Sequence, residues 1–299
     1  MNGQVHSELV ASRLALGTVQ FGLPYGVANT TGQIPPAAAG EILRLAAKSG
    51  IDTLDTAIGY GESEARLGDI GVQSFKVVTK LPRVPDRCGD VGAWVRDEVN
   101  ASLGRLKVES VYGILLHRPE DLIGANGNIL WSSLLAFRDT GRVKKIGVSI
   151  YAPTVLDIIA KMFPIDLVQA PFNLVDRRLL TSGWLERLKK QGVEIHTRSV
   201  FLQGLLLMPR IAMPPRFAKW DMLWDRWYKW QSTYGETPVA ACLAFALGCG
   251  EIDRIVVGVD SVSQLQQIMN EAAGLKCMGL PDLHSEAEEL IDPSRWAQL

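Results

Sequence analysis

Short apolar runs alternate with segments of helical spacing along most of the chain. Eight such runs stand out: RLALGTV, TLDTA, KVVTKL, VYGILLH, KIGVSI, LVQAPF, EIHTRSV and RIVVGV. Most of them are too continuously apolar for a sheet with one face in water, and this is typical of parallel strands buried on both faces. The pattern therefore predicts eight parallel strands.

The segments between these runs carry helix boundary signals. PPAAAGEILRLAAKSG has proline near its start, apolar Ile42, Leu45 and Ala46 on one face, and Lys48 and Gly50 at its end. The connection from helix to strand has a recurring pattern: a glycine near the helix end, then a branched residue and a charged residue before the strand. It occurs in KSGIDTLDT, TGRVKKIGVS and KQGVEIHTR. Repeated βα units of this number predict an α/β fold, a closed (β/α)8 TIM barrel forming a single domain over residues 1–299. The lack of a GxGxxG motif after the first strand argues against a doubly wound dinucleotide-binding sheet.

The interval between the seventh and eighth runs is longer than the others. It contains KWDMLWDRWYKWQSTYG, in which Trp220, Trp224 and Trp227 have the spacing of one helical face. This insertion predicts an extra helix packed on the barrel wall. The alternative is that the segment before it, LLLMPRIAMPPRF, with Trp220 or a neighbouring residue, overhangs the barrel mouth and shapes a substrate pocket.

Composition narrows the kind of partner. Of the 299 residues, 47% are hydrophobic and 21% are charged, and the formal net charge is −1. This balance is typical of a globular protein and gives no electrostatic reason to bind nucleic acid or a membrane, so small molecules are the expected partners.

No basic N-terminal region precedes a long apolar segment, and no run approaches the ~20 apolar residues that cross a bilayer, so a cytoplasmic location is expected. The four cysteines, at positions 88, 242, 249 and 277, lack CxxC spacing and are predicted to be ordinary thiols.

Polar side chains follow the predicted strands at their carboxyl ends, where a barrel of this kind builds its active site. These strand-end residues are Asp55, Tyr60, Lys80, His117, Ser149, Gln169, Asn173, Arg198 and Ser199. Each alone has a structural explanation as a turn, cap or solvated strand end. Because consecutive strand ends converge on one pocket, the set as a whole predicts a catalytic site.

The types of these residues fit proton transfer to a carbonyl oxygen. Tyr60 lies in the glycine-rich loop of DTAIGYGESE, and its phenol needs a neighbouring ammonium to lower its pKa from about 10. Lys80 is the candidate ammonium, and a buried carboxylate such as Asp55 is needed to keep it charged. His117 is expected to hydrogen-bond the same carbonyl oxygen and orient it.

These four residues, in DTAxxYGxSE, TK and LLH contexts, resemble the catalytic tetrad of the aldo-keto reductases. The resemblance extends from LALGT at the first strand to GVDSVSQL after the eighth, and the DTAxxYGxSE string is highly specific. It implies an NAD(P)H-dependent reductase of a small-molecule carbonyl compound, without a metal. It also implies that the nicotinamide supplies a hydride and Tyr60 a proton.

The same resemblance implies a set of cofactor-binding positions. Ser149 and Gln169 match the residues that hydrogen-bond the nicotinamide carboxamide. Loops matching those that hold the rest of the dinucleotide contribute Gly17, Thr18, Ser199, Phe201, Gln203, Gly204, Gly258, Ser261, Gln264 and Leu265.

Three positions depart from the family pattern. The usual Ser-Asn pair is Ser149-Ile150 here, which removes one polar contact to the carboxamide. Arg198 occupies a position where many members have an aromatic ring against the nicotinamide; its charge is expected to favour the reduced cofactor. GVDSVSQL offers Asp260 and no basic residue for a 2′-phosphate. Weighing the family against this segment, NADP(H) is the favoured cofactor and NAD(H) the alternative.

The substrate and two rival functions remain open at this point. Phe21 and Tyr25, in TVQFGLPYGVANTTG, could form an aromatic wall for a sugar face or could simply pack the barrel mouth. VQFGLPYG resembles a bacterial subgroup associated with surface polysaccharides, which suggests a sugar-derived carbonyl. The rivals are a Schiff-base aldolase with Lys80 as nucleophile and a cofactor-binding regulatory protein with negligible turnover.

Overall fold

Eight parallel strands close into a barrel in which each strand pairs with its sequence neighbours and the last returns to the first. The computed structural model describes residues 10–275 and 279–299. In chain order the strands are β1 Leu14–Gly17, β2 Thr53–Asp55, β3 Lys76–Leu81, β4 Val111–Leu116, β5 Val143–Ser149, β6 Leu167–Pro171, β7 Glu194–Arg198 and β8 Arg254–Gly258. Closure is made by β1 against β8, with Leu14 opposite Ile255 and Gly17 opposite Gly258. The predicted (β/α)8 TIM barrel is confirmed, and each strand lies within its predicted apolar run except β5, which begins two residues before KIGVSI.

Helices follow the strands and cover the outside of the barrel. They are α1 Val19–Gly22, α2 Pro36–Lys48, α3 Ser63–Ile70, α4 Val91–Leu106, α5 Gly127–Asp139, α6 Leu156–Met162, α7 Arg178–Thr181, α8 Trp184–Lys190, α9 Asp221–Tyr234, α10 Pro238–Leu247, α11 Val262–Ala273 and α12 Glu288–Ile291. Short 3-10 helices are Pro119–Leu122, Pro153–Val155, Leu202–Leu207, Arg210–Ala212, Pro215–Trp220 and Pro293–Gln298.

The helix predicted from PPAAAGEILRLAAKSG illustrates how the sequence sets these boundaries. Helix α2 begins with Pro36 at its first position, where a missing N–H costs nothing, and ends at Lys48. Gly50 then takes a positive φ of 87°, which a residue with a Cβ adopts poorly. Ile42 and Ala46 are buried under the helix. Because each helix packs its buried face on the barrel and returns the chain to the start of the next strand, all the strands end on the same rim.

The long interval between β7 and β8 holds α9, as the insertion predicted. Trp224 and Trp227 are buried, and the indole of Trp227 stacks on that of Trp230 with ring centroids 5.5 Å apart. Their indole N–H groups donate to the carbonyls of Phe217 and Leu206, which satisfies them inside the core. Trp220 lies one residue before the helix begins, so the prediction that it shares the helical face is wrong.

Within the described ranges, no helix is both long and apolar enough to span a bilayer. The same ranges contain no group of three or more His, Cys, Asp or Glu side chains arranged to hold a metal ion. Cys88, Cys242 and Cys249 are free thiols. Cys277 lies outside the described residues.

Candidate active site

The four predicted catalytic residues come from three consecutive strands and meet at the carboxyl end of the barrel. Asp55 is the last residue of β2, Lys80 lies near the end of β3, and His117 follows the last residue of β4. Lys80 is paired in register with Leu115 of β4, so the strands set the spacing between these side chains. Tyr60 is carried by the loop between β2 and α3.

Lys80 is fully buried, and three acceptors surround its ammonium. Its Nζ lies 2.8 Å from both carboxylate oxygens of Asp55 and 2.8 Å from the carbonyl oxygen of Thr56. Burial lowers the pKa of Lys80, and the charge and hydrogen bonds of Asp55 oppose that shift. An isolated buried ammonium would be strongly unfavourable, so Asp55 is the group that makes a lysine tolerable here.

The Tyr60 loop is seated on helix α1 through two glycines. A Cβ built on Gly22 would lie 1.7 Å from the carbonyl oxygen of Tyr60, and one on Gly61 would lie 2.6 Å from the carbonyl oxygen of Gly22. Gly61 also has a positive φ of 55°. The two backbones therefore approach more closely than any residue with a side chain allows, and this contact fixes where the phenol can lie.

The phenol of Tyr60 lies 3.5 Å from Nζ of Lys80, which also sits 4.9 Å from the centroid of the tyrosine ring. The expectation that the ammonium lowers the tyrosine pKa is wrong for this arrangement. Burial, and then the negative charge of Asp55, raise the pKa of Tyr60 above its ordinary value. The physical reason is that Asp55 neutralises Lys80, so that burial dominates and the phenol keeps its proton.

His117 presents its ring to Tyr60, with centroids 5.8 Å apart and planes at 79°. Burial, followed by the positive charges of Lys80 and Arg198, lowers the pKa of His117 to about 4. The imidazole is therefore neutral at physiological pH. A neutral ring beside the phenol can hydrogen-bond a carbonyl oxygen without adding a second charge to the site.

Gln169 and Ser149 extend the network behind Asp55. The Gln169 amide donates to Oδ1 of Asp55 at 2.6 Å, and the Ser149 hydroxyl lies 3.5 Å from Oε1 of Gln169. Both side chains are buried. Gln169 and Ser149 therefore orient the Asp55 carboxylate that holds Lys80. The sequence did not predict this contact between Gln169 and Asp55.

Arg198 is the last residue of β7, and its side chain extends towards the residues that follow β5. Its guanidinium donates to the carbonyl of Ile150 at 3.1 Å, makes a 3.4 Å contact with the Ser199 hydroxyl, and lies 4.5 Å from the ring centroid of Tyr151. The aromatic surface under this arginine is thus a side chain of the protein itself.

A cavity of about 420 Å³ opens at this end of the barrel. The predicted site residues among its lining are Gly17, Thr18, Asp55, Tyr60, Arg198, Ser199, Phe201, Gln203, Gly204, Gly258 and Gln264. The remaining predicted residues, which do not line it, are Lys80, His117, Ser149, Gln169, Ser261 and Leu265. Leu265 is a core residue, and the Ser261 side chain accepts from the backbone of Gln264 to cap helix α11.

The shape of the cavity suits the dinucleotide that the family resemblance implies. Gly17 and Gly258 expose backbone to it, and a Cβ on Gly258 would lie 2.6 Å from Nε2 of Gln20. Gln20 itself is buried, and its Oε1 has no partner among the described residues, so a polar ligand atom can satisfy it. The sequence analysis missed Gln20, for which the only signal was its place next to the glycine-rich first loop.

The loop after β7 has an unusual backbone. Ser199, Leu202 and Gln203 have positive φ values of 61°, 48° and 52°, and Gly204 follows at 89°. Left-handed non-glycine residues cost energy and concentrate where a backbone is shaped around a ligand. This loop forms one wall of the cavity, as expected for a segment that wraps a cofactor.

Asp260 adds a second carboxylate, besides Asp55, to the cavity lining. Asp260 accepts a hydrogen bond from Asn29 at 2.9 Å, and burial raises the pKa of Asp260 while that bond opposes the shift. Both residues line the cavity. Arg198 is the one cation in the described lining, and it belongs to the Tyr60 end of the cavity.

The aromatic residues proposed as a substrate wall divide between core and cavity. Phe21 is fully buried in the core, whereas Tyr25 lines the cavity and its hydroxyl accepts from Gln203 at 2.9 Å. Trp220 packs on Phe217, with centroids 6.2 Å apart, and is not among the described lining residues. Leu207, in the loop before the insertion helix, does line the cavity, so that loop contributes to the cavity wall without Trp220.

The geometry of Lys80 also bears on the aldolase alternative. A Schiff-base nucleophile needs an amine that a substrate carbonyl can reach. The Lys80 side chain is fully enclosed, and the three acceptors at 2.8 Å occupy its N–H groups. This arrangement does not fit a nucleophilic lysine.

Comparison with known proteins agrees with the fold. A model described as the aldo/keto reductase family matches residues 13–274. Aldo-keto reductase YhdN of Bacillus subtilis is 25% identical over 180 residues, covering 56% of this chain and 52% of the relative. That match therefore spans about half the length of the relative. L-galactose dehydrogenase of Arabidopsis thaliana is 25% identical over 310 residues, covering 94% and 92%.

Solved structures with the same fold include two of similar size. Aldo-keto reductase AKR11C1 of Bacillus halodurans, in its holo form, superposes with a TM-score of 0.71 at 19% identity, covering 89% of this chain and 88% of the other. Glycerol dehydrogenase AKR11B4 of Gluconobacter oxydans gives a TM-score of 0.67 at 22% identity, with 89% and 88% covered.

Proposed function

This chain belongs to the aldo/keto reductase family, and on that premise we propose that it reduces an aldehyde or ketone to an alcohol, with hydride from NAD(P)H and a proton from Tyr60. The observation that carries the proposal is the contact of the enclosed Lys80 ammonium with both oxygens of Asp55, 3.5 Å from the Tyr60 hydroxyl. A proton donor held beside an ammonium that a carboxylate keeps charged suits a carbonyl reduction, because the ammonium can stabilise the phenolate once the proton has left.

Tyr60 is proposed as the general acid. Its raised pKa keeps the phenol protonated at neutral pH, which is the form that a reduction consumes. When bound, the reduced nicotinamide supplies the hydride for the carbonyl carbon. The carbonyl oxygen then gains negative charge and takes the Tyr60 proton, and Lys80 stabilises the phenolate that remains. Asp55 keeps Lys80 charged throughout.

The neutral His117 is proposed to position the substrate. Its ring lies edge to face with that of Tyr60, and we infer that a carbonyl oxygen bound by the phenol also accepts a hydrogen bond from the imidazole. Two hydrogen bonds to one oxygen fix its direction relative to the nicotinamide. His117 thereby selects the orientation, while Tyr60 transfers the proton.

The cofactor is proposed to lie along the cavity. The residues that the family resemblance assigns to it are Gly17, Thr18, Ser149, Gln169, Arg198, Ser199, Phe201, Gln203, Gly204, Gly258, Ser261, Gln264 and Leu265. Ser149 and Gln169 act here through Asp55 as well as on the carboxamide. We propose NADP(H) as the favoured cofactor, with only a weak preference over NAD(H), because Asp260 opposes a 2′-phosphate.

A sugar-derived carbonyl is proposed as the substrate. Two proteins that this chain resembles are named L-galactose dehydrogenase and glycerol dehydrogenase, and both names refer to polyhydroxylated molecules. Tyr25 at the cavity wall offers an aromatic face of the kind that packs against a sugar ring.

The proposal is tested by Tyr60→Phe. With a panel of aldehydes and either cofactor, we expect kcat to fall by about 100-fold or more, since the general acid is removed, while dinucleotide affinity measured by fluorescence quenching stays within about threefold. Tyr228→Phe is the control, because Tyr228 donates to the carbonyl of Met208 away from the cavity lining. We also expect kcat/KM to be modestly higher with NADPH than with NADH.

Two outcomes would replace the proposal. Dinucleotide binding by the wild type without turnover of any aldehyde would favour the regulatory alternative. Trapping of a substrate adduct on Lys80 by borohydride, without nicotinamide binding, would favour the aldolase.

A further inference from the structure

Most of the partly buried arginines of the described chain pair with a carboxylate, whereas Arg198 pairs with none. Arg105, Arg138, Arg177, Arg178 and Arg254 each pair with an acidic side chain. Arg13 instead donates to three carbonyl oxygens. Arg198 forms no ion pair with any described residue and has one good hydrogen bond, to the carbonyl of Ile150.

The Arg198 guanidinium keeps unused hydrogen-bond donors. It has five N–H groups, of which one donates to Ile150 and one makes the long 3.4 Å contact with Ser199. Three donors are left, and the residue lines the cavity that Tyr60 also lines. The carbonyl of Ile150 and the ring of Tyr151 hold the planar group in place without neutralising it.

The charges around Arg198 leave this end of the cavity positive. Lys80 and Asp55 cancel each other, and His117 is neutral because its pKa is lowered to about 4. Burial raises the pKa of Tyr25 to about 12, with Arg198 opposing, so that phenol is neutral as well. One fixed positive charge therefore faces the place where the carbonyl substrate must lie.

We propose that Arg198 recognises a carboxylate on the substrate, so that the natural substrate is a carbonyl compound bearing an acid group. This inference rests on the proposed reductase function and adds the chemical class of its substrate. A guanidinium binds a carboxylate through two parallel hydrogen bonds, and the free donors of Arg198 suit that geometry. Because the reacting carbonyl is held by Tyr60 and His117, the carboxylate sets the second point that orients the molecule.

The alternative role, stacking on the nicotinamide, predicts something different. It would make Arg198 matter for the cofactor and treat charged and neutral aldehydes alike. The two roles are separated by substrates that differ in charge and not in shape. A pair that meets this need is 4-formylbenzoate and 4-formylbenzamide.

The experiment compares kcat/KM for this pair in the wild type and in Arg198→Met. We expect the wild type to prefer the carboxylate by about tenfold or more, and the variant to reduce that preference to within about threefold by raising KM for 4-formylbenzoate. The KM for the dinucleotide should change by less than about threefold. Arg198→Lys should retain part of the preference, because the charge stays while the two-pronged geometry is lost.

Arg187→Met is the matched control. Arg187 also lies over an aromatic ring, 5.2 Å from the centroid of Trp184, but on an exposed helix away from the cavity. It should leave the preference unchanged. Equal kcat/KM for the two aldehydes in the wild type would overturn the inference, as would an unchanged preference in Arg198→Met.

Two further arms complete the test. A preference for glyceraldehyde 3-phosphate over glyceraldehyde, without one for 4-formylbenzoate, would assign the site to phosphate and overturn the carboxylate assignment. Calorimetric titration of the dinucleotide-loaded protein with benzoate and with benzamide reads the anion site without turnover. If no aldehyde reacts, the reductase proposal fails, yet benzoate binding that depends on Arg198 still supports the inference and its absence overturns it.

Discussion

Lys80 shows how one buried charge sets the chemistry of its neighbours. A fully enclosed ammonium would cost several kcal/mol without a partner, and Asp55 provides one on both carboxylate oxygens. Of the charges near Tyr60, that of Asp55 has the largest effect on the pKa of the phenol. The phenol therefore responds to burial and to Asp55, which raise its pKa, and it is held as an acid rather than as a phenolate.

His117 gives a prediction that depends on pH. Its pKa in the folded protein is lowered to about 4 from an ordinary value of 6.5, so between these values the unfolded chain binds more protons than the folded one. The stability of the fold should therefore fall as the pH drops from 6.5 towards 4. His117→Asn should remove this part of the acid destabilisation, measured as the free energy of unfolding in urea at several pH values.

The same titration should appear in the kinetics. Protonated His117 would add a charge beside Lys80 and Arg198, so we expect kcat/KM of the wild type to decline on the acid side with an apparent pKa near 4. His284→Asn is the control, since His284 lies near the C-terminal helix and outside the cavity lining. A kinetic pKa near 6.5 would show that the imidazole is not held in the neutral form.

Helix α1 and the loop that carries Tyr60 act as one structural unit. Their backbones meet at Gly22 and Gly61, and a Cβ at Gly22 would come within 2.6 Å of the amide nitrogen of Ser63 as well as against the Tyr60 carbonyl. Ser63 is tied back to β1 by its hydroxyl, which donates to the carbonyl of Thr18 at 2.8 Å. A shift of the helix therefore shifts the catalytic phenol.

We expect Gly22→Ala to lower kcat by at least about tenfold while the fold persists, because the added methyl must push the Tyr60 loop away from Lys80. Gly59→Ala is the matched control: Gly59 lies in the same loop, but a Cβ there meets nothing within 4 Å. The measurements are kcat with one aldehyde and the circular dichroism melting curve. Equal kcat in the two variants would mean that the glycine contact does not position Tyr60.

The elements were predictable where local signals determine them. The eight strands and helix α2 follow from apolar runs, a first-turn proline and a terminal glycine, all within short stretches of sequence. The contact between Gly22 and Tyr60 joins residues far apart in the chain, and no local pattern announces it. Likewise, Trp220 precedes helix α9 with non-helical backbone angles, which helical spacing alone does not reveal.

The meeting of the residues proposed as catalytic could be predicted from the sequence, whereas their pKa shifts could not. Asp55, Lys80 and His117 end consecutive strands, and parallel strands bring such residues together. The sign of the pKa shift at Tyr60 depends on depth of burial and on the near cancellation of Lys80 by Asp55. Those quantities exist only once the barrel has closed.

The two ends of the barrel have different tasks. The carboxyl end holds the cavity, whereas the amino end carries a cluster of charged side chains around Glu194, the first residue of β7. Glu194 accepts from the Tyr112 hydroxyl at 2.6 Å and contacts Nε2 of His196 at 2.8 Å, and it pairs with Lys145. Interactions at this end of such barrels serve stability rather than chemistry.

Glu194→Gln should separate these tasks. Because the variant leaves buried donors with a weaker acceptor, we expect the free energy of unfolding at pH 7 to fall by about 2 kcal/mol while kcat and KM stay within about twofold. Burial alone would raise the pKa of Glu194, but hydrogen bonds from His196, Lys145 and Tyr112 outweigh it and hold the pKa well below the usual range. The stabilisation is therefore complete above the ordinary glutamate pKa of 4.5 and is lost as the pH falls below it, so the free energies of unfolding of the two proteins should become equal in acid.

Glu186→Gln, which removes an exposed partner of Lys190 on helix α8, should leave both stability and kinetics unchanged. A drop in kcat for Glu194→Gln at unchanged stability would contradict the assignment of this end of the barrel to stability.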